Sequence, residues 1–338
     1  MINIDGSFNE GGGQILRTAI GMSAVTGKPF RITNIRAKRN NPGIRAQHLE
    51  AINSVAKLCN ADVQGNTLWS KELIFQPGRI KSGKLNIKIP TAGSVGLVLQ
   101  ALLIPATFTT VNIKIEGGAT YTSWSPPMDS LAHVLFPLLG KMGYNIKILK
   151  LKDGFYPKGG ALVELQTHRS KLKPVKLTEK GQLKAVHGIS TASSNLEKAR
   201  VAERQAKSAR KELFPLFECP INIKAYYRDS VCSGTGITLW AETENSIIGA
   251  DSLGRPGKKS ETVGREAAKR LIFEYNNGTV DSHTADQLLP YFALAGYGKL
   301  KTSKITGHIR TNAEIIEKFL QVKFRINEVN HVIECIAL

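Results

Sequence analysis

Residues 283–296 read HTADQLLPYFALAG, and residues 307–312 read GHIRTN. In the first stretch polar residues precede an apolar run, which predicts a helix whose first turn points side chains and free backbone N–H groups at one spot. Such a spot suits an anion. The second stretch contains His308. A lone histidine is most often a surface residue, so the interpretation of His308 depends on the residues around it.

The residues that flank these stretches predict how His308 is held. A strand is expected at 300–305, and Gly307 then makes a tight turn. Residues 311–314 read TNAE, which matches a capping box and predicts a helix at 313–320. We therefore expect His308 on the turn between that strand and that helix, held by rigid elements and exposed at their edge.

The composition favours a polyanionic partner. Of the 338 residues, 46 are Lys or Arg and 27 are Asp or Glu, which gives a formal net charge of +19. Nucleic acid is the first candidate for so basic a chain. The four cysteines are scattered without a CxxC pair, so neither a disulfide framework nor a zinc site is expected. This cysteine usage fits a reducing compartment.

The sequence also predicts a cytoplasmic protein without membrane association. No apolar run approaches the roughly 20 residues that a membrane span needs. The first residues, MINID, do not read as a signal peptide.

Two further stretches suit phosphate binding. Residues 10–17 read EGGGQILR, a glycine-rich turn between a short strand and a helix. Glycines let backbone N–H groups approach an anion, although such a turn is structural about as often. Gln100 interrupts the apolar run at 97–103, and a buried glutamine must find partners. A structural hydrogen bond is the alternative interpretation of Gln100.

One loop concentrates positive charge just before the helix that is predicted at 46–59. Its cations are Arg36, Lys38, Arg39 and Arg45. Arginine forks match phosphate oxygens, so the loop suits a phosphate group. The alternative is a solvated loop, as most surface charge clusters are.

Together these stretches resemble the RNA 3′-terminal phosphate cyclases. The blocks that carry the resemblance run in family order along essentially the whole chain. They are EGGGQILR at 10–17, IRAKR at 35–39 with PG at 42–43 and QHL at 47–49, GFYPKGG at 154–160, ADQLLPYFALAG at 285–296 and GHIRTN at 307–312. Each block alone is a weak signal, whereas the ordered set is highly specific.

The resemblance implies a reaction. In that family the histidine at the position of His308 attacks ATP and carries AMP. AMP then passes to an RNA 3′-phosphate, and the neighbouring 2′-OH closes a 2′,3′-cyclic phosphate and releases AMP. The implied partners are ATP as co-substrate, a divalent cation (Mg²⁺ or Mn²⁺) and an RNA with a 3′-phosphate end. A homo-oligomer is left open.

The resemblance also implies roles for individual residues. Glu10 is expected to hold the metal on the nucleotide phosphates, and His308 is the expected nucleophile. The predicted nucleotide group comprises Arg17, Gln100, His283, Thr284, Ala285, Asp286 and Gln287. The predicted RNA-end group comprises Arg36, Arg39, Arg45, Gln47 and His48.

The predicted fold is α/β, with an α+β-like character. Small residues precede an apolar helix near Gly11, Thr91 and Ala285, which indicates a weak internal repeat. The resemblance implies a large catalytic domain of repeated units, each with two helices and a four-stranded sheet. We place this domain at 1–180 and 277–338, with a smaller inserted α/β domain at 181–276.

Two local predictions concern the units themselves. A helix at 128–142 and strands at 145–150 and 161–165 are expected to complete the third unit. In the insertion, a helix at 195–213 is expected to be capped by Ser194 with Glu197.

Alternatives of other classes remain at this stage. One is the cyclase-like branch of the same family, a non-cyclising ribosome-assembly factor that lacks the nucleophilic histidine, so His308 argues against it. Another is an enolpyruvyl transferase, which uses similar repeats but needs a phosphoenolpyruvate site. A protein that only binds RNA would explain the charge but not the surroundings of His308.

Overall fold

The computed structural model describes residues 1–338, and the chain begins with a unit of two helices and four strands. The first helix ends at Gly27, whose left-handed φ of 68° is the usual helix C-cap. The strands lie in the order β1-β2-β4-β3, with β1 parallel to β2 and the other pairs antiparallel. The elements are β1 (Ile2–Asp5), α1 (Gly13–Thr26), β2 (Phe30–Thr33), α2 (Ala46–Cys59), β3 (Asp62–Gln64) and β4 (Leu73–Gln76).

A second unit repeats this plan. Its strands lie in the order β5-β6-β8-β7 with the same parallel and antiparallel pairs. A π-helical turn at Leu131–Leu135 joins its two short helical pieces. The elements are β5 (Gly83–Ser94), α3 (Val95–Ala106), β6 (Val111–Ala119), α4 (Met128–Ser130), α5 (Phe136–Lys141), β7 (Ile146–Lys152) and β8 (Leu162–Thr167).

A third unit opens with β9 (Val175–Leu177) and is then interrupted by a segment with a different plan. In this insertion the first strand is internal, in the order β11-β10-β12-β13. Two helices cover the sheet. The elements are β10 (Leu183–Ser193), α6 (Val201–Leu213), β11 (Ile221–Arg228), β12 (Thr235–Thr243), β13 (Ile247–Leu253) and α7 (Ser260–Asn277).

After the insertion the chain completes the third unit. Strand order is β9-β14-β16-β15, again with one parallel pair followed by antiparallel pairs. The elements are α8 (Ser282–Leu294), β14 (Tyr297–Lys301), α9 (Gly307–Phe319), β15 (Val322–Asn327) and β16 (Val332–Ala337). The predicted α/β fold of repeated units with an inserted α/β segment is confirmed.

The order of the units corrects one prediction. The strands expected at 145–150 and 161–165 are β7 and β8, and they complete the second unit rather than the third. The third unit starts at β9, which the sequence analysis missed. This strand has three residues and lies between Lys173-Pro174 and Thr178-Glu179, so no apolar alternation marks it.

The start of α6 corrects a second prediction, which placed the cap of this helix at Ser194. The helix begins at Val201, after Arg200 with a left-handed φ of 50°, and not at the predicted Ser194 cap. Residues Ser194–Leu196 form a separate 3₁₀ turn. The Ser194 hydroxyl donates to Asp229 at 2.8 Å and lies too far before Val201, the first residue of the helix, to cap it.

The units share one apolar interior. A cluster of 62 buried residues runs through all three, while a second cluster of 14 residues lies wholly within the insertion, between Val186 and Leu271. This separate cluster supports the division into 1–180 with 277–338 and 181–276, which stays a prediction. None of the helices combines the length and apolar character that crossing a membrane requires.

Candidate active site

The first turns of four helices converge at one place in the large domain. Gln14 near the start of α1 contacts Asp286 in α8 and His308 in α9. Next to it, a Cβ at Gly13 would collide with the ring of His48 in the first turn of α2. Helix N-termini present free N–H groups and partial positive charge, so this convergence favours an anionic ligand.

His308 lies inside the first turn of α9 and not on a turn before it. Thr306 caps the helix and accepts a hydrogen bond from the Ile309 N–H at 3.2 Å. The helix therefore begins six residues earlier than the predicted start at 313. The preceding strand, β14, is also displaced, since it ends at Lys301.

The TNAE motif does not form the predicted capping box, because residues 311–314 lie inside α9 and Thr306 is the N-cap. Thr311 donates to the carbonyl of Gly307 at 2.7 Å. Asn312 donates to the carbonyl of Asp286 at 2.9 Å and accepts from Thr18 at 2.6 Å. These bonds join α9 to α8 and α1, and they fix the turn that carries His308.

Gln14 determines which nitrogen of His308 carries the proton. Its amide nitrogen donates to Asp286 Oδ2 at 2.9 Å and to the His308 carbonyl at 3.3 Å. The amide oxygen is therefore the atom that faces Nδ1 of His308. Because an amide oxygen only accepts, Nδ1 is protonated and Nε2 keeps its lone pair.

Glu10 lies on the other side of the imidazole. Its Oε2 is 3.3 Å from Nε2 of His308 and 3.6 Å from Nη2 of Arg39. The His308 side chain is 42 % exposed, so Nε2 can be reached from solvent. Burial lowers the pKa of His308, Glu10 raises it, and the nearby Arg17 and Arg39 lower it, with a net shift downward. A neutral imidazole is favoured, which is the nucleophilic form.

Two members of the nucleotide group, the buried Arg17 and the half-buried Gln100, are hydrogen bonded to each other near Gln14. Arg17 donates from Nε to Gln100 Oε1 at 3.0 Å, so the glutamine in the apolar helix α3 has its partner. Burial lowers the pKa of Arg17 to about 10, while Asp286 opposes the shift. Burial likewise raises the pKa of Asp286 to about 7, although Arg17 and Gln14 lower it. Both groups thus lie where water is largely excluded.

The other members of the nucleotide group belong to the first turn of α8. Asp281 caps this helix and accepts from the Thr284 N–H at 2.8 Å. His283 is exposed, and its carbonyl accepts from Gln287 at 3.1 Å. Ala285 is fully buried, so its side chain contributes only packing.

Two clefts border these residues. One is lined by Gln100, Asp286 and Gln287 together with apolar side chains of α3 and α8. Its neighbour is lined by His283 and Thr284 and also by Gly249, Ala250 and Asp251 of the insertion. The structure thus brings the side chains of Arg17, Gln100, Asp286 and Gln287 together beside His308, with His283 at the mouth of the second cleft.

Within the RNA-end group, Arg36 and Arg45 make different kinds of contact. Arg36 donates from Nη1 to the carbonyls of Asn41 and Gly43, at 2.6 and 3.0 Å, and so holds its own loop. Arg45 stacks over the ring of Trp69, with Cζ 3.8 Å from the ring centre. Its buried Nη1 has no protein partner. A buried guanidinium nitrogen without a partner suits a phosphate oxygen.

Gln47 and His48 tie the same loop to neighbouring helices. Gln47 Oε1 accepts from the Ser94 N–H, at the start of α3, at 3.2 Å. His48 Nδ1 accepts from the Arg45 N–H at 3.2 Å, so its other nitrogen carries the proton when the ring is neutral. Burial, with Arg17 adding to it, holds the pKa of His48 well below its ordinary value. A neutral Nε2–H donor therefore faces Gly13 and the convergence of helix ends.

Sequence reasoning missed four residues of this site. Gln14 stands in the quoted block at 10–17 but was given no role, although a polar residue directly after the glycine-rich turn was a usable signal. Thr18 and Asn312 are hydrogen bonded to each other, and the ring of Trp69 packs against the guanidinium of Arg45. These partners are far apart in the chain, so no local pattern marked them.

Comparison with known proteins places this chain beside one family. A family model described as "RNA 3'-terminal phosphate cyclase" matches residues 8–326. Three similar proteins carry that same name. The one from Pyrococcus abyssi is 46 % identical over 331 residues, covering 97 % of this chain and 95 % of the relative. Those from Pyrococcus furiosus and Methanopyrus kandleri are 47 % and 43 % identical, each covering 96 % of this chain and 95 % of the relative.

Proposed function

The chain belongs to the RNA 3′-terminal phosphate cyclase family, and from this premise we propose that His308 is the nucleophile through which it works. The enzyme converts an RNA 3′-terminal phosphate to a 2′,3′-cyclic phosphate at the expense of ATP. The observation that carries the assignment of His308 is its hydrogen bond with Gln14, which leaves Nε2 unprotonated and accessible.

In the first step Nε2 of His308 attacks the α-phosphorus of ATP. An N–P bond forms, and the P–O bond to pyrophosphate breaks with its electron pair on the leaving oxygen. The product is a phosphoramidate that carries AMP, which divides one difficult reaction into easier ones. The imidazole gains positive charge as the bond forms. The Nδ1–H bond to Gln14 stabilises that charge and holds the ring in place.

Charge on the triphosphate must be neutralised as pyrophosphate leaves. Arg17 is the buried cation beside His308 and supports a phosphate contact. The adenosine portion of ATP is assigned to the clefts lined by Gln100, Asp286, Gln287 and His283.

Glu10 is the proposed ligand of a divalent cation, Mg²⁺ or Mn²⁺. Nowhere in the chain do three His, Cys, Asp or Glu side chains form a group that could hold a metal. A single carboxylate nevertheless fits, because Mg²⁺ in phosphate-transfer enzymes is held by one or two carboxylates together with substrate phosphates. Glu10 Oε2 and the unprotonated Nε2 of His308 are two acceptors 3.3 Å apart, so positive charge beside them is favourable. When bound, the cation would neutralise charge that develops on the phosphates.

In the remaining steps AMP moves from His308 to the RNA. A 3′-phosphate oxygen attacks the adenylyl phosphorus and the N–P bond breaks, which regenerates the imidazole. The 2′-OH then attacks the activated 3′-phosphorus, loses its proton and expels AMP. We assign the phosphate to the RNA-end group, where Arg45 has an unpartnered nitrogen and His48 offers a neutral N–H.

The alternatives are disfavoured by specific observations. The family match over residues 8–326 leaves no basis for an enolpyruvyl transferase. A non-cyclising branch would lack the nucleophilic histidine, whereas His308 is present with its orienting partner. The contacts of the half-buried His308 with Gln14 on one side and Glu10 on the other also argue against an ordinary surface histidine.

The end group of the RNA tests the last step. An oligonucleotide with a 3′-phosphate and a 2′-OH is expected to gain a cyclic phosphate. The same chain with a 2′-deoxy terminal sugar is expected to stop as an adenylylated 3′-phosphate, because the final nucleophile is missing. Chromatography of both products distinguishes these states, and equal cyclic product from both chains would exclude the proposed step.

A further inference from the structure

Trp124 presents its whole ring to solvent. It lies in the loop between β6 and α4, and it is 97 % exposed, the highest fraction among the large apolar side chains. Its φ of 68° lies in the left-handed region, which is unfavourable for a bulky residue. An exposed indole and a strained backbone both cost free energy, so packing within the chain does not explain this position.

The other two tryptophans have partners. Trp69 lies under the guanidinium of Arg45. Trp240 stacks on His133, with ring centres 4.4 Å apart, and His187 lies on it at 5.6 Å. The ring of Trp124 therefore stands apart in having an unused aromatic face.

Hydrogen bonds place the loop of Trp124 next to the RNA-end group. The hydroxyl of its neighbour Ser125 bonds to that of Ser94 at 2.6 Å. The Ser94 N–H donates in turn to Gln47 at 3.2 Å. A Cβ added at Gly93 would be 3.2 Å from Cβ of Gln47, so the two segments are closely packed. Trp124 is thus separated from the RNA-end group by one short chain of bonds.

The same loop also borders a cleft that is assigned to ATP. Pro126 lines the cleft that also contains His283. The loop consequently adjoins both the cleft assigned to ATP and, through Ser125 and Ser94, the RNA-end group at Gln47. The adenosine of ATP is already assigned to the clefts beside Gln100 and His283, whereas no residue is yet assigned to the base of the RNA.

We propose that Trp124 is the stacking platform for the nucleobase of the RNA 3′-terminal nucleotide, an inference that rests on the proposed function. Proteins bind unpaired bases at RNA ends by stacking them on aromatic side chains. The contact tolerates any sequence, since every base has a π face. With the phosphate on Arg45 and His48 and the base on Trp124, the terminal ribose is held at two ends.

The test compares two 3′-phosphorylated oligoribonucleotides, one with a terminal base and one abasic at the terminal position. With the complete chain, Trp124→Ala should raise KM roughly 5- to 100-fold, the loss expected for one base–aromatic stack. With the abasic chain, wild type and Trp124→Ala should have the same KM. Trp124→Phe should retain most of the wild-type affinity. Phe214→Ala removes another exposed aromatic ring, 76 % accessible and in the insertion, and should change nothing.

Three outcomes would overturn the proposal. An unchanged KM for the complete chain would show that the ring does not contact RNA. An equal loss with both oligonucleotides would show that the base is not the group it binds. Loss of self-adenylylation with ATP alone would move Trp124 to the adenosine side.

The proposed function fails separately, if wild-type protein forms no cyclic product at all. In that case quenching of tryptophan fluorescence by the oligonucleotide, present in wild type and absent in Trp124→Phe, still supports the stack. Equal quenching in both proteins contradicts it.

Discussion

The side chain of Gln14 is hydrogen bonded to Nδ1 of His308, and the same amide donates to Asp286 at 2.9 Å. The amide oxygen thus faces a donor and the amide nitrogen faces an acceptor, so rotating the amide by half a turn would break both hydrogen bonds. The buried Asp286 carboxyl therefore orients the imidazole through Gln14. Outer partners of this kind fix the tautomer of a functional histidine.

Gln14→Leu is expected to slow formation of the protein–AMP adduct by about 100-fold, because the imidazole loses the group that selects its reactive tautomer. Single-turnover labelling with α-labelled ATP measures this rate. Gln76→Leu, an exposed glutamine on β4, is the matched control and should label like wild type. Wild-type labelling by Gln14→Leu would exclude the orienting role.

The elements that the sequence predicted well are those with local signals. The bounds of α2 agree with the predicted helix at 46–59 residue for residue. The predicted start of α9 was wrong because Thr306 and residues 311–314 offer competing caps. The tertiary bonds of Asn312, which a local pattern does not contain, decide between them.

The sequence predicted which residues lie in the site but not the hydrogen bonds that connect them. The family blocks placed Asp286 and His308 in one site, and the structure has them joined through Gln14. The orientation of the His308 imidazole depends on Gln14, which lies 294 positions away in the chain. Likewise, nothing near Arg45 in the sequence indicates that its guanidinium lies on Trp69.

Arg45→Ala is expected to weaken RNA binding for all sequences alike. Its unpartnered nitrogen is assigned to an RNA phosphate, so the slope of log K against log salt should decrease by roughly 0.7 to 1. Adduct formation with ATP alone should change far less than cyclisation. Arg39→Ala is expected to affect both, because Arg39 lies 3.6 Å from Glu10.

Arg31→Ala is the control for the arginine series. Arg31 is exposed on β2 and paired with Glu72 at 2.6 Å, so its loss should leave the salt slope unchanged. Two results for Arg45→Ala would count against its assignment. One is an unchanged slope with normal cyclisation, and the other is a loss of self-adenylylation equal to the loss of cyclisation.

The contact between the insertion and the second unit should make stability depend on pH. Nε of Arg228 lies 3.0 Å from Oδ2 of the buried Asp153, an ion pair without hydrogen-bond alignment. Burial raises the pKa of Asp153 from 3.8 to about 6, Asp129 adds to the shift, and Arg228 opposes it. The native state therefore binds more protons than the unfolded state between these values, and stability falls as pH rises through that window.

Arg228→Met should raise the pKa of Asp153 further and extend the loss of stability to higher pH. The variant is expected to be destabilised by about 2 kcal/mol near neutral or alkaline pH and by less in mild acid. Urea unfolding at a series of pH values measures this. Asp153→Asn in the same protein should abolish the added pH dependence. A destabilisation that is the same at every pH would refute the explanation.

The most direct test of the account is the intact mass of the protein after incubation with ATP and Mg²⁺ or Mn²⁺ and no RNA. The wild-type chain should gain the mass of one adenylyl group through an acid-labile, alkali-stable bond, as a phosphoramidate is. His168→Ala, which removes an exposed histidine outside the site, should gain the same mass. His308→Ala should gain none while unfolding at the same temperature as wild type. An adduct of the same mass and yield on His308→Ala would contradict the assignment of the nucleophile.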